Sequence, residues 1–224
     1  MHNKVISVEE AVNMIPDGAT IMFGGFLGCG SAHKVIEALA KKGTKDLTII
    51  GNDCGMATGP HGEEFYGMAK LVHNHQVKRV IATHVGMTPD VGTQGMVEKT
   101  LQVDLVPQGS LAEMIRAGGA GLGGVLTPTG VGTIVAEGKQ EIVVDGKTYL
   151  LETPLRAEVA IVKAWKADTS GNLVYRRAGK NFNPMMAMAA DFVIAEVEEI
   201  VEVGQIDPDQ VCTPGACVDM VVQL

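Results

Sequence analysis

Phe23-Gly24-Gly25-Phe26-Leu27-Gly28-Cys29-Gly30-Ser31-Ala32-His33 is the stretch from which the fold is read. The apolar run 20–23 leads into it, and Val35, Ile36 and Leu39 lead out with the spacing of a helix face. Gly24, Gly25, Gly28 and Gly30 therefore sit at a strand-to-helix turn. Glycine there admits positive φ and lets another molecule approach the backbone closely. The unpaired amides and positive dipole end of the following helix favour an anion such as a phosphate. The glycine spacing departs from the dinucleotide fingerprint, no acidic residue closes the next strand, and the lysine of a P-loop is missing. An anionic ligand that touches backbone is expected, with a tight packing turn as the plain alternative.

Outward from this turn, strand, loop and helix alternate. Residues 7–15 read as a short amphipathic helix opened by a Ser7/Glu10 capping box. Ser31 is placed to cap a helix running to Lys42, with Gly43 as its stop. Residues 46–50 form the next strand, which ends in the loop Gly51-Asn52-Asp53-Cys54-Gly55. A helix over 63–76 and a strand over 79–83 ending at His84-Val85-Gly86 follow. The strand 103–106 ends in Pro107-Gln108-Gly109, and Ser110 with Glu113 predicts another capped helix. Repeated strand–helix units signify a mainly parallel sheet with crossover helices, whose ligands sit at the carboxyl ends of the strands. The four loops at 24–30, 51–55, 84–86 and 108–109 should then share one edge.

The second half opens on the glycine-dense segment 117–133, which is too apolar for a linker and is expected to be an ordered loop. Residues 141–144 and 147–151 flank Asp145-Gly146, a strong hairpin signal. A buried strand at 159–162, a turn at 170–172 and a short strand at 173–175 come next. Asn183 then caps a helix with Pro184 in its first turn, and the strand 192–195 runs into the acids Glu196, Glu198, Glu199 and Glu202. With no repeat and no linker, residues 1–224 are expected to form a single domain.

A hydrophobic share of 46% suits one buried core, and a net charge of −8 without a basic cluster argues against nucleic acid. Glycine, at 28 of 224 residues, is far above its usual share of roughly 7% and is clustered into loops. Residues 1–7 lack the apolar core of a leader, and no run approaches the roughly 18 residues of a membrane span. Cys29, Cys54, Cys212 and Cys217 show no disulfide framework, so a cytoplasmic protein with reduced thiols is expected. No metal set emerges. Cys212 and Cys217 lack a matching pair, and His73 and His75, alternating along a possible strand, read as surface. His84 is balanced between ligand contact and a hydrogen-bonded turn. The acids read as solvated faces, Asp53 at its strand end excepted. No paired acids and no Ser–His–Asp set appear, so a ligand cleft without a nucleophile needs a partner.

Further motifs carry a resemblance that covers nearly the whole chain. They are Asp17-Gly18-Ala19-Thr20-Ile21-Met22-Phe23-Gly24-Gly25-Phe26 onward, Leu105-Val106-Pro107-Gln108-Gly109-Ser110-Leu111-Ala112-Glu113, and Leu126-Thr127-Pro128-Thr129-Gly130-Val131-Gly132-Thr133. Pro154-Leu155-Arg156-Ala157, Asn181-Phe182-Asn183 and Thr213-Pro214-Gly215-Ala216 complete the set. The sequence resembles the A (alpha) subunit of family I CoA-transferases of the acetate or butyrate–acetoacetate type. It departs from the family at Ala32, where proline is common, and at Lys180, where arginine often stands.

The resemblance implies a three-layer α/β/α domain with a mainly parallel sheet, the CoA-transferase fold, paired with a B (beta) subunit as α2β2 or α4β4. It implies CoA and acyl-CoA as substrates, short-chain carboxylates as co-substrates, and no tightly bound cofactor or metal. In the family's ping-pong reaction a glutamate of the B subunit attacks the thioester and comes to carry CoA. Gly24, Gly25, Phe26, Leu27, Gly28, Cys29 and Gly30 match the CoA-associated loop, and Gln108 matches a glutamine that completes an oxyanion hole. The segment 118–132 is either acyl-pocket wall or subunit interface. A non-catalytic sensor of sugar phosphate or acyl-CoA on the same fold is the rival.

Overall fold

The computed structural model describes residues 3–224, so Met1 and His2 of the opening stretch lie outside it. In chain order the first half comprises α1 (Val8–Asn13), β1 (Thr20–Phe23), α2 (His33–Lys42), β2 (Leu47–Gly51), β3 (Met56–Thr58), β4 (Glu64–Tyr66), α3 (Ala69–His73), β5 (Val77–Ala82), α4 (Pro89–Gly92), β6 (Gln102–Leu105) and α5 (Gln108–Ala120). The second half comprises β7 (Val125–Thr127), β8 (Glu141–Val144), β9 (Lys147–Glu152), β10 (Ala157–Asp168), β11 (Leu173–Val174), α6 (Asn183–Met188), β12 (Ala190–Val201) and β13 (Met220–Gln223).

The main sheet runs β13-β12-β10-β1-β2-β5-β6, and every neighbouring pair in that order is parallel. Only β11 joins it antiparallel, on β10. The chain travels outward from β1 to β6 and then returns to lay down β10, β12 and β13 on the other side. The order therefore reverses between β1 and β10, where an open parallel sheet leaves a crevice at its carboxyl edge. All four expected loops lie on that edge.

Both faces of the sheet are covered, which is why its central strands read as unbroken apolar runs rather than alternating ones. Ile21 and Phe23 of β1 and Ile49 of β2 pack with Val35, Ile36 and Leu39 of α2 and with Leu71 of α3. Met22 and Ile50, one residue out of phase, pack instead with Leu111 and Ile115 of α5 and Met186 of α6. Each such side chain stabilises the fold by roughly 1.5–3 kcal/mol. The Ser7/Glu10 capping box is present, and Gly43, at φ 78°, closes α2 in the left-handed conformation. The hairpin turns through Asp145 (φ 49°) and Gly146 (φ 75°), and β7 adds a third strand to it.

Five local expectations fail, three of them at helix caps. Ser31 does not cap α2, whose N-cap is Ala32 without a side-chain bond. Residues 63–76 are not one helix; β4 pairs with β3 before the short α3. Ser110 lies inside α5, which begins after Pro107, and Glu113 pairs with Arg116 instead of closing a box. Asn183 is the first residue of α6 and not its cap. The 117–133 segment is no single loop either. Its first residues finish α5, Gly121 ends that helix at φ 69°, and β7 follows.

Gly118 explains why α5 tolerates glycine in its interior. A Cβ there would lie 1.9 Å from the carbonyl oxygen of Leu155, the segment that leads from β9 into β10. Gly118→Ala raises helix propensity by about 1 kcal/mol, yet overpacking costs of about 1–3 kcal/mol are common for added methyl groups. Urea denaturation should find the variant less stable than the wild type. Equal or greater stability would show that α5 does not need this close approach.

Candidate functional site

The glycine loop leaves β1 where the Gly24 amide donates to the Ile161 carbonyl of β10 (3.0 Å). Phe26 and Cys29 then exchange backbone hydrogen bonds at 3.0 and 2.9 Å across Leu27 (φ 44°) and Gly28 (φ 80°). Two successive positive φ values make this a tight primed turn. A Cβ on Gly28 would meet the Tyr66 ring at 2.2 Å. Phe26, Leu27 and Cys29 stand exposed at the tip.

Two anchors fix this turn. Asn183, fully buried, accepts from the Lys163 amide (2.8 Å) and donates to the carbonyls of Gly30 and Gly179 (both 2.9 Å). Its Oδ1 fills the place a Gly24 Cβ would take, at 1.8 Å. Asn181 adds a bond from its Nδ2 to the Cys29 carbonyl (2.9 Å). On the other side Asp53, buried at the end of β2, accepts from the Leu27 amide (2.8 Å) and the Gly55 amide (2.8 Å).

The second anchor continues to Gln108. Asn52 donates to Asp53 Oδ2 (3.0 Å), and Gln108 Nε2 donates to Asn52 Oδ1. One connected chain thus runs from Gln108 at the start of α5 to the Leu27 amide. A carboxamide nitrogen carries two donors, and with one N–H on Asn52 the other has no acceptor among the described residues. The Gln108 residue is exposed.

The N-terminus of α2 is not free for a ligand as expected. Glu196 of β12 accepts from the Val35 amide (3.0 Å) and is only 1% exposed. Burial pushes its carboxyl above the ordinary range, against the opposing pull of the Val35 amide and Lys163. Lys163, its partner in the β10–β12 register, holds its ammonium 3.6 Å from Glu196 and 3.8 Å from Glu198. Glu196 is thus no solvated acid. The signal was its place in Val193-Ile194-Ala195-Glu196-Val197, a carboxylate within a run apolar on both faces.

Other candidates fall outside this centre. His84 is exposed beyond the end of β5. His73 lies in the last turn of α3, not on a strand, stacked on Phe65 at 3.6 Å and bonded to Asp90 at 2.8 Å. Cys54 is buried, and burial, then Asp53, pushes its thiol up to about 12. Cys212 and Cys217 are unpaired, and no cluster of three metal-ligating side chains occurs among the described residues. No described helix is long and apolar enough to cross a membrane.

The model of the Coenzyme A transferase family matches residues 5–224. The chain belongs to this family. It is 47% identical over 222 residues to the acetate CoA-transferase subunit alpha of Escherichia coli (strain K12), covering 99% of this chain and 97% of that relative. It is 45% identical over 224 residues to the acetoacetyl-CoA:acetate/butyrate CoA transferase alpha subunit of Clostridium acetobutylicum, covering 100% and 99%. A solved acyl-CoA transferase of Escherichia coli O157:H7, in a thioester complex with CoA, superposes with a TM-score of 0.86 at 24% identity. That likeness establishes the fold; this transferase chain is covered completely and spans 50% of the solved one. The sensor alternative finds no support among these relatives.

Glu196 makes the stability of this transferase chain depend on pH. A carboxyl whose pKa is higher folded than unfolded binds more protons in the folded state, so stability falls as pH rises above the unfolded value near 4.5. Glu196→Gln removes that titration while keeping an acceptor for the Val35 amide. Its unfolding free energy relative to wild type should therefore improve steadily as pH rises from about 4.5 to the folded pKa. A constant difference across that range, read from urea midpoints, would contradict the shifted carboxyl.

Proposed function

We infer that this chain is the A subunit of a short-chain acyl-CoA:carboxylate CoA-transferase of the acetate/butyrate–acetoacetate type, active with a B subunit in an α2β2 or α4β4 assembly. One observation carries the assignment. The hydrogen-bonded chain Gln108–Asn52–Asp53–Leu27 ties an exposed carboxamide donor rigidly to the glycine loop. The names of the 47% and 45% identical relatives support both the reaction class and the subunit role. Four unpaired cysteines suit a reducing, cytoplasmic setting. Two apolar clusters on opposite faces of one sheet support taking residues 1–224 as a single domain.

In this scheme the loop 24–30 forms one wall of the CoA site. The Gly28 and Gly30 amides have no acceptor among the described residues and are left to donate to the ligand. A glutamate of the B subunit attacks the thioester carbonyl, and the free N–H of Gln108 bonds the oxygen on which negative charge develops. Collapse expels the CoA thiolate and leaves an acyl-glutamyl anhydride. The thiolate attacks the glutamyl carbonyl, expels the carboxylate and leaves a glutamyl-CoA thioester. A second carboxylate reverses these steps and departs as its CoA ester. Because Asn52 fixes the amide beforehand, its dipole need not reorganise as charge develops.

Exchange of CoA between acetoacetyl-CoA and acetate is the test. The chain alone should be inactive, and the complex with its B subunit active. Gln108→Ala in the complex should lower kcat by about 10²–10³ with little change in KM, the usual cost of losing one oxyanion donor. Full activity of the lone chain would end the subunit assignment, and an unchanged kcat would remove Gln108 from the oxyanion site.

A further inference from the structure

Every group that bonds Asp53 is a donor. Its Oδ1 accepts from the Gly55 amide, and its Oδ2 accepts from both the Leu27 amide and Asn52 Nδ2. Asp53 is 4% and Asn52 3% exposed, so the protein itself supplies these partners. An ionised carboxylate has acceptors only, whereas a carboxamide has a donor end and an acceptor end. An amide beside a carboxylate therefore has one direction. Asn52 turns Nδ2 to Asp53, which leaves its Oδ1 for Gln108 Nε2. Thr83, just beyond β5, holds the Asn52 backbone carbonyl through its hydroxyl (2.7 Å) and its amide (3.0 Å). That hydroxyl also lies 3.3 Å from Asn52 Oδ1, but a hydroxyl can donate or accept and so does not choose the direction. Thr88, buried, fixes the Cys54 and Gly55 carbonyls through its own hydroxyl (3.2 and 2.9 Å), which holds the loop that carries Asp53.

Resting on the CoA-transferase assignment, we propose that Asp53 is a positioning residue that sets which end of the Gln108 carboxamide meets the reacting carbonyl. The direction is relayed. The acceptor-only carboxylate orients Asn52, and the Asn52 oxygen then accepts only from a donor, which brings the Gln108 nitrogen to it. The second N–H of that nitrogen is the one left for the developing oxyanion. With Asn52 reversed, its Nδ2 would face Gln108 and draw Oε1 into the place of the nitrogen. Carbonyl lone pairs would then stand where negative charge develops and would repel it. An amide turned end for end thus costs the site its donor without moving a backbone atom. Neither Asp53 nor Asn52 touches substrate in this scheme; both act through Gln108. The charge that sets this direction also holds the Leu27 amide, so one carboxylate seats the glycine loop and aims the oxyanion donor.

The test is a double-mutant cycle in the complex with its B subunit, read as kcat for CoA exchange between acetoacetyl-CoA and acetate. Asp53→Asn keeps the shape of the side chain but gives it a donor end, so the direction of Asn52 is no longer fixed. It should lower kcat by about tenfold, the difference between a charged and a neutral acceptor. In a Gln108→Ala background the same change should cost less than about twofold, because no carboxamide remains to be turned. Asn52→Ala removes the relay while leaving Asp53 to Leu27 and Gly55, and it should show the same dependence on background. A merely structural role would cost equally in both backgrounds, so equal losses would overturn the inference. An Asp53→Asn complex with the kcat of the wild type would overturn it too. If that complex does not assemble, Asn52→Ala carries the test, and equal losses there are the contrary result. These failures leave Gln108 and CoA transfer in place. An unchanged kcat in Gln108→Ala alone would remove the oxyanion role on which the relay rests, and a complex that turns over no CoA ester would remove the parent assignment.

Discussion

The buried carboxamide of Asn183 is the contact on which the site depends. Its oxygen accepts from β10 while its nitrogen binds the carbonyls of Gly30 and Gly179, so one side chain locks strand, glycine loop and the arginine-bearing segment together. Each bond is worth only about 1 kcal/mol net, but stranding those buried groups costs more. The contact also explains Gly24, because any larger residue would occupy the space of the Asn183 oxygen. The loop's glycines are packed against protein, Gly24 against Asn183, Gly28 against Tyr66 and Gly30 against Gly179.

Electrostatics divide the carboxyl edge into two regions. The dipole end of α2 is already complemented by Glu196, an anion supplied by the chain itself. The donors without an acceptor are therefore the Gly28 and Gly30 amides of the loop rather than the first turn of the helix. On the β2–β6 side the donors are neutral and held by Asp53 and Asn52, which suits transient charge on a carbonyl oxygen. On the β10–β12 side they are charged: Lys163 lies mostly buried beside Glu196 and Glu198, and Arg176 and Arg177 stand exposed. The division follows the strand-order reversal, since the two halves of the sheet bring different loops to one edge.

Much of the architecture was legible because burial on both faces leaves a plain pattern. Strand 20–23 and the Asp145-Gly146 hairpin stand where hydrophobic runs and turn chemistry put them, and the four loops share an edge because parallel strands require it. Local capping signals were less reliable. Ser31, Ser110 and Asn183 carry the right chemistry for caps, yet none serves as one, and Asn183 spends its carboxamide on tertiary bonds instead. The site was legible only in outline. Gly24, Gly28 and Gly30 and the Gln108 position could be singled out, whereas the Asn52–Asp53 link between them depends on register across β1, β2 and β6. Glu196 hid within an acidic stretch whose members look alike in sequence. The pleat separates it from Glu199, whereas Glu198 shares its face, and only the Val35 amide of α2 over Glu196 sets those two apart.

A wall with donors but no nucleophile must borrow one, and this is the central claim. Incubating the complex with acyl-CoA in the absence of acceptor acid should accumulate the enzyme–CoA thioester. Borohydride reduces that thioester to an alcohol, and peptide mass spectrometry locates the reduced residue. The account predicts a single reduced glutamate on the B subunit and none on this chain. A reduced residue on this chain, at Glu196 or elsewhere, would contradict it.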